Sequence, residues 1–270
     1  MDEMNLQKCA ACTGLWDDKD KGCFCRYDGN PETCEGPKKL PKPYYEQDNI
    51  TIYHGDCREI LPHLPKVDLV LTDPPYGINI VKVGGSKPFG KVGGSKPFGK
   101  VGGSNWIVPR DYIPVYGDDK PFEPQFMMNA GTNLMFFGGN YFADKLPPSS
   151  CWLVWDKQNT GNFADCELVW TNLKRAVRIF RYTWNGCIQQ QPKIKEDRVH
   201  PTQKPIPLMR WCILQGDKVG WQDTILDPFM GSGTTLVAAK QLGRKAIGIE
   251  IEEKYCEIAV KRLSQGVLPL

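Results

Sequence analysis

The pattern of hydrophobic and polar residues changes near Asn49. Residues 1–45 are rich in Cys, Lys and Asp and have little apolar periodicity. From Asn49 onward, short apolar runs of strand length alternate with stretches whose apolar residues recur at helical spacing. Such alternation is typical of an α/β fold with a parallel, doubly wound sheet. The pattern therefore predicts one α/β domain over residues 46–270 and a small Cys-rich appendage over residues 1–45.

Individual runs predict the elements of this sheet. Val67–Thr72 is almost continuously apolar, as expected for a strand that is buried on both faces. The other predicted strands are Ile50–His54, Asn133–Phe137, Trp152–Trp155, Glu167–Trp170, Arg178–Tyr182, Thr224–Leu226 and Ala246–Ile249. The predicted helices are Arg58–Leu64, Ile206–Leu214, Thr234–Leu242 with Gly243 as its stop, and Lys254–Leu263.

Composition and charge narrow the class of protein. The chain has 270 residues and a net charge of +3, which neither requires nor excludes a nucleic-acid partner. No apolar run approaches the roughly 20 residues of a membrane helix. The first residues, MDEMNLQKCAAC, are polar and contain no secretory hydrophobic region. We expect a soluble, cytoplasmic protein without a membrane partner.

Five of the eleven cysteines lie in the first 34 residues. Without a signal peptide, reduced thiols or a metal site are expected rather than disulfides. Cys9 and Cys12 have the spacing of half a zinc knuckle, although the second half is irregular. One hypothesis is a structural zinc site formed by any four of Cys9, Cys12, Cys23, Cys25 and Cys34. The alternative, a loose tail with free thiols, stays open.

A tandem repeat interrupts the domain at residues 81–106. The nonapeptide KVGGSKPFG occurs twice, and a third copy begins at Lys100. Between Val81 and Arg110 the chain has five lysines, one arginine and no acidic residue. Two glycine-rich copies are too few for a solenoid. The repeat is either a basic loop that contacts DNA phosphates or an unselected duplication without function.

Asp73-Pro74-Pro75-Tyr76 follows the predicted strand Val67–Thr72 directly. The exocyclic amino group of a base is a poor nucleophile, because its lone pair is delocalised into the ring. The Asp73 carboxylate and the Pro74 carbonyl would accept its two hydrogens and localise that lone pair. Both prolines stiffen the turn, and Tyr76 would stack on a base that has been swung out of the duplex.

A second turn, Asp227–Thr235, joins a predicted strand to a predicted helix. Gly231 and Gly233 would allow a ligand to approach the backbone, and the helix N-terminus favours a carboxylate. Glu250 ends the next strand, where an acid binds ribose hydroxyls in dinucleotide folds. The complete G-x-G-x-x-G pattern is absent, because Leu236 stands at its last position.

Together the motifs DPPYG, HPTQKP and DPFMGSGTT, in this order, resemble the DNA amino-methyltransferases of the β class. The segments IYHGDCREILPHL, LVLTDPPYG and GRKAIGIEIEEKYCEIAVKRL are also similar to that family. The resemblance covers roughly residues 46–265, outside the Cys-rich segment and the repeat. It implies a Rossmann-like class I methyltransferase with a circularly permuted motif order, in which the catalytic motif precedes the cofactor motif.

The resemblance also implies residue roles, S-adenosylmethionine as the cofactor and double-stranded DNA as the partner. The catalytic residues would be Asp73, Pro74, Pro75 and Tyr76. The cofactor-binding residues would be Asp56, Thr202, Lys204, Asp227, Phe229, Gly231, Ser232, Gly233, Thr234 and Glu250, with Lys204 near the methionine carboxylate and Asp56 near the adenine. His200 of HPTQKP is expected to be a local hydrogen-bonding residue rather than a base.

Asp at position 73 favours adenine N6 as the target by resemblance, and the setting would be restriction-modification in a bacterial or phage-infected cell. Cytosine-N4 methylation by the same machinery stays open. Methylation of a protein glutamine is disfavoured, because related enzymes with that activity resemble Asn-Pro-Pro-Tyr. A non-catalytic zinc- and lysine-dependent DNA-binding protein is disfavoured by the intact Asp73, Tyr76 and Glu250. The chain lacks the Pro-Cys pair that a cytosine-C5 methyltransferase would need for its nucleophilic cysteine.

Overall fold

Strands and helices follow one another in the computed structural model much as the apolar runs predict. The structure describes residues 40–80, 114–158, 164–185, 188–190, 196, 198–217 and 224–265. From Lys42 onward these residues belong to one compact unit, Lys42–Leu270. The Cys-rich segment and the tandem repeat lie outside the described residues, so the zinc site, the roles of the repeat and the domain boundary at residue 45 stay predictions.

Nine strands of the described chain form one mixed, mostly parallel sheet. They are β1 (Tyr45–Gln47), β2 (Ile50–His54), β3 (Val67–Thr72), β4 (Gly131–Phe137), β5 (Trp152–Asp156), β6 (Cys166–Thr171), β7 (Arg178–Arg181), β10 (Thr224–Asp227) and β11 (Lys245–Glu250). A separate antiparallel pair is formed by β8 (Trp184–Asn185) and β9 (Ile188–Gln189). The helices are α1 (Cys57–Ile60), α2 (Ile206–Asp217), α3 (Thr234–Gln241) and α4 (Glu253–Ser264).

The strand order is β1-β2-β11-β10-β3-β4-β6-β5-β7. Strands β2, β11, β10, β3 and β4 are parallel neighbours, with Leu69 of β3 in register with Ile225 of β10 and Asn133 of β4. Strand β6 runs antiparallel to β4, and β5 runs antiparallel to β6. The carboxyl ends of the five parallel strands therefore meet at one edge of the sheet, together with the start of β6 and the end of β5. We call this the carboxyl edge.

Both faces of the central sheet are buried, as the apolar run of β3 predicts. Leu69 and Leu71 pack on one face in a core cluster that includes Leu208 of α2. Val70 packs on the opposite face in a second cluster that includes Phe136. A doubly covered, mostly parallel sheet of this kind is consistent with the predicted Rossmann-like fold.

Two helices differ from the prediction by more than one residue at their C-terminal ends, and the other two differ by no more than one residue at either end. The helix expected over Arg58–Leu64 is shorter, because α1 ends at Ile60 and the chain continues as a 3₁₀ turn over Leu61–His63. Pro62 lacks the N–H that an α-helix would need there. Helix α2 extends beyond the predicted end to Asp217. Gly243 lies just beyond α3 with a φ of 68°, which is the left-handed conformation of a C-terminal stop.

No helix in the described ranges is long and apolar enough to cross a membrane.

Candidate active site

Four of the predicted site carboxylates follow or end neighbouring strands at the carboxyl edge. Asp56 follows β2, Glu250 ends β11, Asp227 ends β10 and Asp73 follows β3. Because these four strands are adjacent and parallel, the two motifs that are far apart in sequence come together in space. The Oγ1 of Thr72 donates a hydrogen bond of 2.7 Å to Oδ1 of Asp227, so the ends of β3 and β10 are directly bonded.

Both carboxylate oxygens of Asp73 are hydrogen-bonded within the protein. The hydroxyl of Tyr76 donates to Oδ1. The Nζ of Lys204 donates to Oδ2 at 2.5 Å. Burial raises the pKa of Asp73, although the Lys204 charge acts in the opposite direction. Asp73 therefore lies in a low-dielectric environment with one strong cationic partner, which is a setting suited to accepting hydrogen from a neutral amine.

Lys204, which is expected near a cofactor carboxylate, contacts two protein carboxylates. Besides Asp73, its Nζ lies 3.3 Å from Oε2 of Glu167, and it donates to the carbonyl of Thr202 at 3.5 Å. Its side chain is only 7% exposed. Burial acts to lower the pKa of Lys204, but the charges of Asp73 and Glu167 outweigh it and raise the pKa. Lys204 is thus held as an ammonium group beside the predicted catalytic acid.

Glu167 and Lys157 are site residues that the sequence did not reveal. The Nζ of Lys157 lies 2.6 Å from Oε1 of Glu167. Burial acts to raise the pKa of Glu167, but the charges of Lys204 and Lys157 outweigh it and lower the pKa. Both residues sit at the hairpin between β5 and β6, which reaches the carboxyl edge only because these strands run antiparallel. The one sequence signal that could have indicated them is their charge, since each stands at the end of an otherwise largely apolar strand.

The ring of Tyr76 packs between a glycine and a second tyrosine. Tyr141 stacks on it with ring centroids 4.8 Å apart and an interplanar angle of 14°. A Cβ at Gly138, whose φ is 68°, would lie 2.1 Å from the Tyr76 ring. Burial raises the pKa of Tyr76 well above its usual value, so its hydroxyl stays protonated and donates. Tyr141 is exposed, which places an aromatic surface at the mouth of the site.

Asp118 organises the loop after the Asp-Pro-Pro-Tyr motif, although no local motif marks it in the sequence. Its Oδ1 accepts hydrogen bonds from the backbone N–H groups of Tyr76, Gly77 and Ile78 at 3.1, 2.9 and 3.2 Å. Its Oδ2 accepts one from the N–H of Ile80 at 2.7 Å. Asp118 is buried, and it follows the insertion in sequence whereas this loop precedes it. Four backbone donors on one carboxylate fix the loop conformation.

The Asp227 carboxylate is buried, and both of its oxygens accept hydrogen bonds from the protein. Besides the bond from Thr72, its Oδ2 accepts a hydrogen bond of 2.5 Å from Oγ1 of Thr235 in α3. The N–H of Phe229 donates to Oδ1 at 3.2 Å. Burial raises the pKa of Asp227 to about 6, against the effect of these hydrogen bonds. Asp227 therefore links β3, β10 and α3, and this positions the turn.

Gly231 and Gly233 of the turn both have positive φ values, and each lies close to a different neighbour. A Cβ at Gly231 would lie 3.3 Å from Nε2 of His200. A Cβ at Gly233 would lie 2.7 Å from Cβ of Ala259 in α4, so this glycine allows close packing of that helix, and its expected place beside a ligand stays a prediction. His200 accepts a hydrogen bond of 3.3 Å from the N–H of Thr202 on Nδ1, in line with a local structural role. Burial lowers the pKa of His200 to about 3, so the ring is neutral.

Arg262 of α4 binds the same turn and was also missed. Its Nη1 donates to the carbonyl and Oγ of Ser232 at 2.8 and 3.0 Å, and to Oγ1 of Thr234 at 3.0 Å. The hydroxyls of Ser232 and Thr234, expected to meet a cofactor, are thus bonded to a guanidinium group. Arg262 also lies 3.8 Å from Oε2 of Glu196 in the segment before HPTQKP.

The remaining predicted cofactor residues lie around the turn. Glu250 accepts hydrogen bonds from the N–H groups of Gly231 and Glu252 at 2.8 and 2.9 Å. Burial raises the pKa of Glu250 to about 7. Asp56 accepts from the N–H of Arg58 at 2.8 Å and caps α1. Phe229 is half-buried and meets the ring of Phe122 edge to face at 5.6 Å.

Comparisons with known proteins show similarity to methyltransferases. A family model described as DNA methylase matches residues 155–261. The Type II methyltransferase M2.LlaDCHI of Lactococcus lactis subsp. cremoris is 28% identical, over 84% of this chain and 94% of the relative. The Type II methyltransferase M2.DpnII of Streptococcus pneumoniae is 28% identical, over 87% of this chain and 97% of the relative.

One solved structure supports the fold. The PvuII DNA methyltransferase, described as cytosine-N4-specific, is 15% identical and covers 84% of this chain and 90% of its own, with a TM-score of 0.51. The family match and the curated relatives support assignment of this chain to the DNA amino-methyltransferases of the β class.

No group of three or more His, Cys, Asp or Glu residues that could hold a metal ion occurs in the described part of the chain.

Proposed function

We propose that the protein transfers a methyl group from S-adenosylmethionine to N6 of adenine in double-stranded DNA. The observation that carries the proposal is the hydrogen bond between Thr72 and Asp227, because it joins the strand that leads to Asp73 with the strand that leads to the glycine turn. A polarising carboxylate and a candidate cofactor turn therefore share one edge of the sheet. Bringing two reactants together in this way accounts for much of the rate of a group transfer.

The Asp73 carboxylate and the Pro74 carbonyl would accept the two hydrogens of the target amine. This would concentrate the lone pair on nitrogen, so that a C–N bond could form at the methyl carbon while the carbon–sulfur bond breaks and the sulfur leaves as a neutral thioether. When bound, the cofactor supplies a methyl group on a positively charged sulfur. The nitrogen loses one proton after the transfer, and Asp73 is the acceptor nearest to it in this arrangement. Tyr76, stiffened in place by the prolines, would stack on a base extracted from the duplex.

The residues around the turn fit an adenosyl cofactor. Glu250 is a buried acid whose oxygens each accept one backbone hydrogen bond and retain capacity for a ribose hydroxyl. Asp56 is half-exposed on the neighbouring strand end and would meet the adenine. Phe229, Gly231 and Gly233 would line the site, with Ser232, Thr234 and Asp227 shaping the turn from behind. Thr202 and Lys204 would approach the carboxylate of the methionine part.

Cytosine N4 is the second candidate target, because the structurally similar PvuII enzyme is described as cytosine-N4-specific. The two exocyclic amines have the same geometry, so the Asp73 site suits both. The family resemblance of an Asp at this position favours adenine.

The test is methylation by the purified full chain. The protein is incubated with methyl-labelled S-adenosylmethionine and several double-stranded DNAs, and the labelled nucleosides are identified by mass spectrometry. We expect N6-methyladenine. Label in N4-methylcytosine would replace the proposed target, and DNA that stays unlabelled would overturn the activity.

Asp73→Ala is the matched loss-of-function variant. We expect it to bind the cofactor with an unchanged Kd and to transfer no methyl group. Asp144→Ala removes an exposed Asp elsewhere on the chain and should leave both properties unchanged. Equal activity of Asp73→Ala and the wild-type protein would rule out the proposed role of the carboxylate.

A further inference from the structure

Four charged side chains form an alternating row that ends at the proposed catalytic acid. Lys157 Nζ lies 2.6 Å from Oε1 of Glu167. Oε2 of Glu167 lies 3.3 Å from Nζ of Lys204, which donates to Oδ2 of Asp73 at 2.5 Å. Each inner member of the row lies between two opposite charges. We call these four residues the charge row.

Aromatic rings lie beside both lysines of the charge row. The Nζ of Lys204 lies 5.2 Å from the ring centroid of Phe137, and the Nζ of Lys157 lies 4.9 Å from that of Trp155. Burial of charge is costly unless each charge is paired. The four charges satisfy this requirement together, because removal of Glu167 or Lys204 leaves each of its neighbours with one partner fewer.

The geometry of the Asp73 carboxylate gives its two oxygens different tasks. Lys204 is bonded to Oδ2, while Oδ1 carries only the hydroxyl of Tyr76. A target amine would gain access to Oδ1 by taking the place of this hydroxyl. For that to work, the ammonium group of Lys204 must stay on Oδ2 and not shift to the vacated oxygen.

We infer that Glu167 is a positioning residue that keeps the ammonium group of Lys204 on Oδ2 of Asp73 and so reserves Oδ1 for the target amine. The inference rests on the proposed function. Glu167 and Asp73 share the ammonium group of Lys204, so a shift of that group away from its present position toward Oδ1 would work against the attraction of Glu167. Glu167 touches neither base nor cofactor in this scheme and acts only through Lys204.

Removal of the Glu167 charge has a definite effect on pH dependence. In the described part of the chain, the ionisable groups that face Lys204 are Asp73, Glu167, Tyr76 and the neutral His200, and Lys157 faces Glu167 from the end of β5. Asp73 is also faced by Tyr76 and, from β10, by Asp227. The Glu167 charge raises the pKa of both Lys204 and Asp73. Its loss lowers both values, so both limbs of the activity profile move to lower pH.

The experiment measures kcat and KM for DNA across pH for the full-length wild-type protein and for Glu167→Gln. We expect kcat to fall by about tenfold to a hundredfold with a small change in KM, as for a misplaced catalytic group. The basic limb should move to lower pH, because Lys204 loses one nearby opposite charge. Glu167→Asp keeps the anion and should restore the wild-type profile with part of kcat.

A matched control and a second variant separate positioning from folding. Asp48 lies in the turn between β1 and β2, at the end of the sheet opposite the carboxyl edge, and its carboxylate pairs with Lys240 at 2.9 Å. Asp48→Asn removes this pair and should leave the pH profile unchanged. If Glu167→Gln does not fold, Lys157→Gln combined with it removes the whole outer pair and leaves no unpaired Lys157. This double variant should show the same loss of kcat and the same direction of shift.

The outcomes are distinguishable. A wild-type protein that methylates no DNA would overturn the proposed function. A wild-type protein that methylates DNA, with a folded Glu167→Gln variant whose activity falls by the same factor at every pH or does not fall, would overturn the positioning role alone.

Discussion

Thr72, the last residue of β3, donates a hydrogen bond of 2.7 Å from Oγ1 to Oδ1 of Asp227, the last residue of β10. These residues precede or begin the two motifs that carry the proposed chemistry, yet they are 155 positions apart in the chain. Both are buried, so water does not compete for the bond. The relative position of the proposed catalytic acid and the glycine turn therefore depends on a specific contact as well as on strand pairing.

Thr72→Val should weaken this connection. The variant keeps the shape of the side chain but removes the donor and leaves a buried carboxylate oxygen with fewer partners. We expect the free energy of unfolding to fall by about 1–3 kcal/mol in a urea titration. Thr132→Val changes an exposed threonine of β4 and should shift stability by less than about 0.5 kcal/mol. Equal stability of the Thr72→Val variant and wild type would contradict the assigned role.

Gly138→Ala should displace the ring of Tyr76. Its Cβ would lie 2.1 Å from that ring, and its φ of 68° adds a strain of about 1–2 kcal/mol. Gly243→Ala is a matched control, because Gly243 has the same φ of 68° and no atom within 4 Å of its added Cβ. Both variants should lose stability in thermal unfolding, but only Gly138→Ala should lose methyl transfer. Similar activities would argue against a function for the Tyr76 position.

Asp118→Asn should disturb the loop of Tyr76 without affecting the cofactor site. An amide group cannot accept hydrogen bonds at both ends, so at least one of the four backbone donors loses its partner. We expect kcat to fall while the Kd for the cofactor, measured by calorimetry, stays constant. Asp119→Asn changes the adjacent exposed residue and should retain activity. A fall in cofactor affinity alone would disagree with this assignment.

Arg262→Met should loosen the glycine turn. The guanidinium group donates to Ser232 and Thr234, and hydrogen bonds from a charged donor contribute about 1.5–3 kcal/mol. We expect cofactor affinity to fall by about tenfold or more, since about 1.4 kcal/mol corresponds to a factor of ten. Lys261→Met alters the exposed neighbour on the same helix and should bind as wild type does. Unchanged affinity in Arg262→Met would show that the turn is held by other contacts.

Glu250 should make stability depend on pH. Burial raises its pKa from 4.5 to about 7, so the folded protein binds a proton that the unfolded chain releases. This contribution is present below the unfolded pKa and is lost as the pH rises through the folded value. The stability of Glu250→Gln relative to wild type should therefore improve as the pH rises from about 5 to about 8. Glu59→Gln, at an exposed position of α1, should show no such trend in denaturant titrations.

Most of the central sheet could be predicted from apolar runs. The strand Val67–Thr72 has the predicted bounds, and those around Asn133–Phe137 and Ala246–Ile249 differ by one or two residues at their ends. Such runs are informative because a strand buried on both faces must be apolar at nearly every position. The order of the strands fits the same reasoning, since neighbouring parallel strands bring Asp73 and Asp227 to one edge.

The site was predictable only where a residue belongs to a local motif. Asp73 and Glu250 stand at the ends of strands, where sequence position implies location in the sheet, and Tyr76 belongs to the same short motif as Asp73. Gly233 belongs to such a motif as well, but no local pattern reveals that Ala259 of α4 packs against it.

Glu167, Asp118 and Arg262 are ordinary charged residues in sequence, and each acquires its partners only through the tertiary structure. Glu167 reaches Lys204 because β6 runs antiparallel to β4 and so begins at the carboxyl edge. Asp118 meets its loop from beyond the insertion. Local sequence predicts elements because backbone conformation and burial depend on neighbouring residues along the chain. Charge pairing acts between atoms that are close in space, so these partners were decided by how the strands and helices pack.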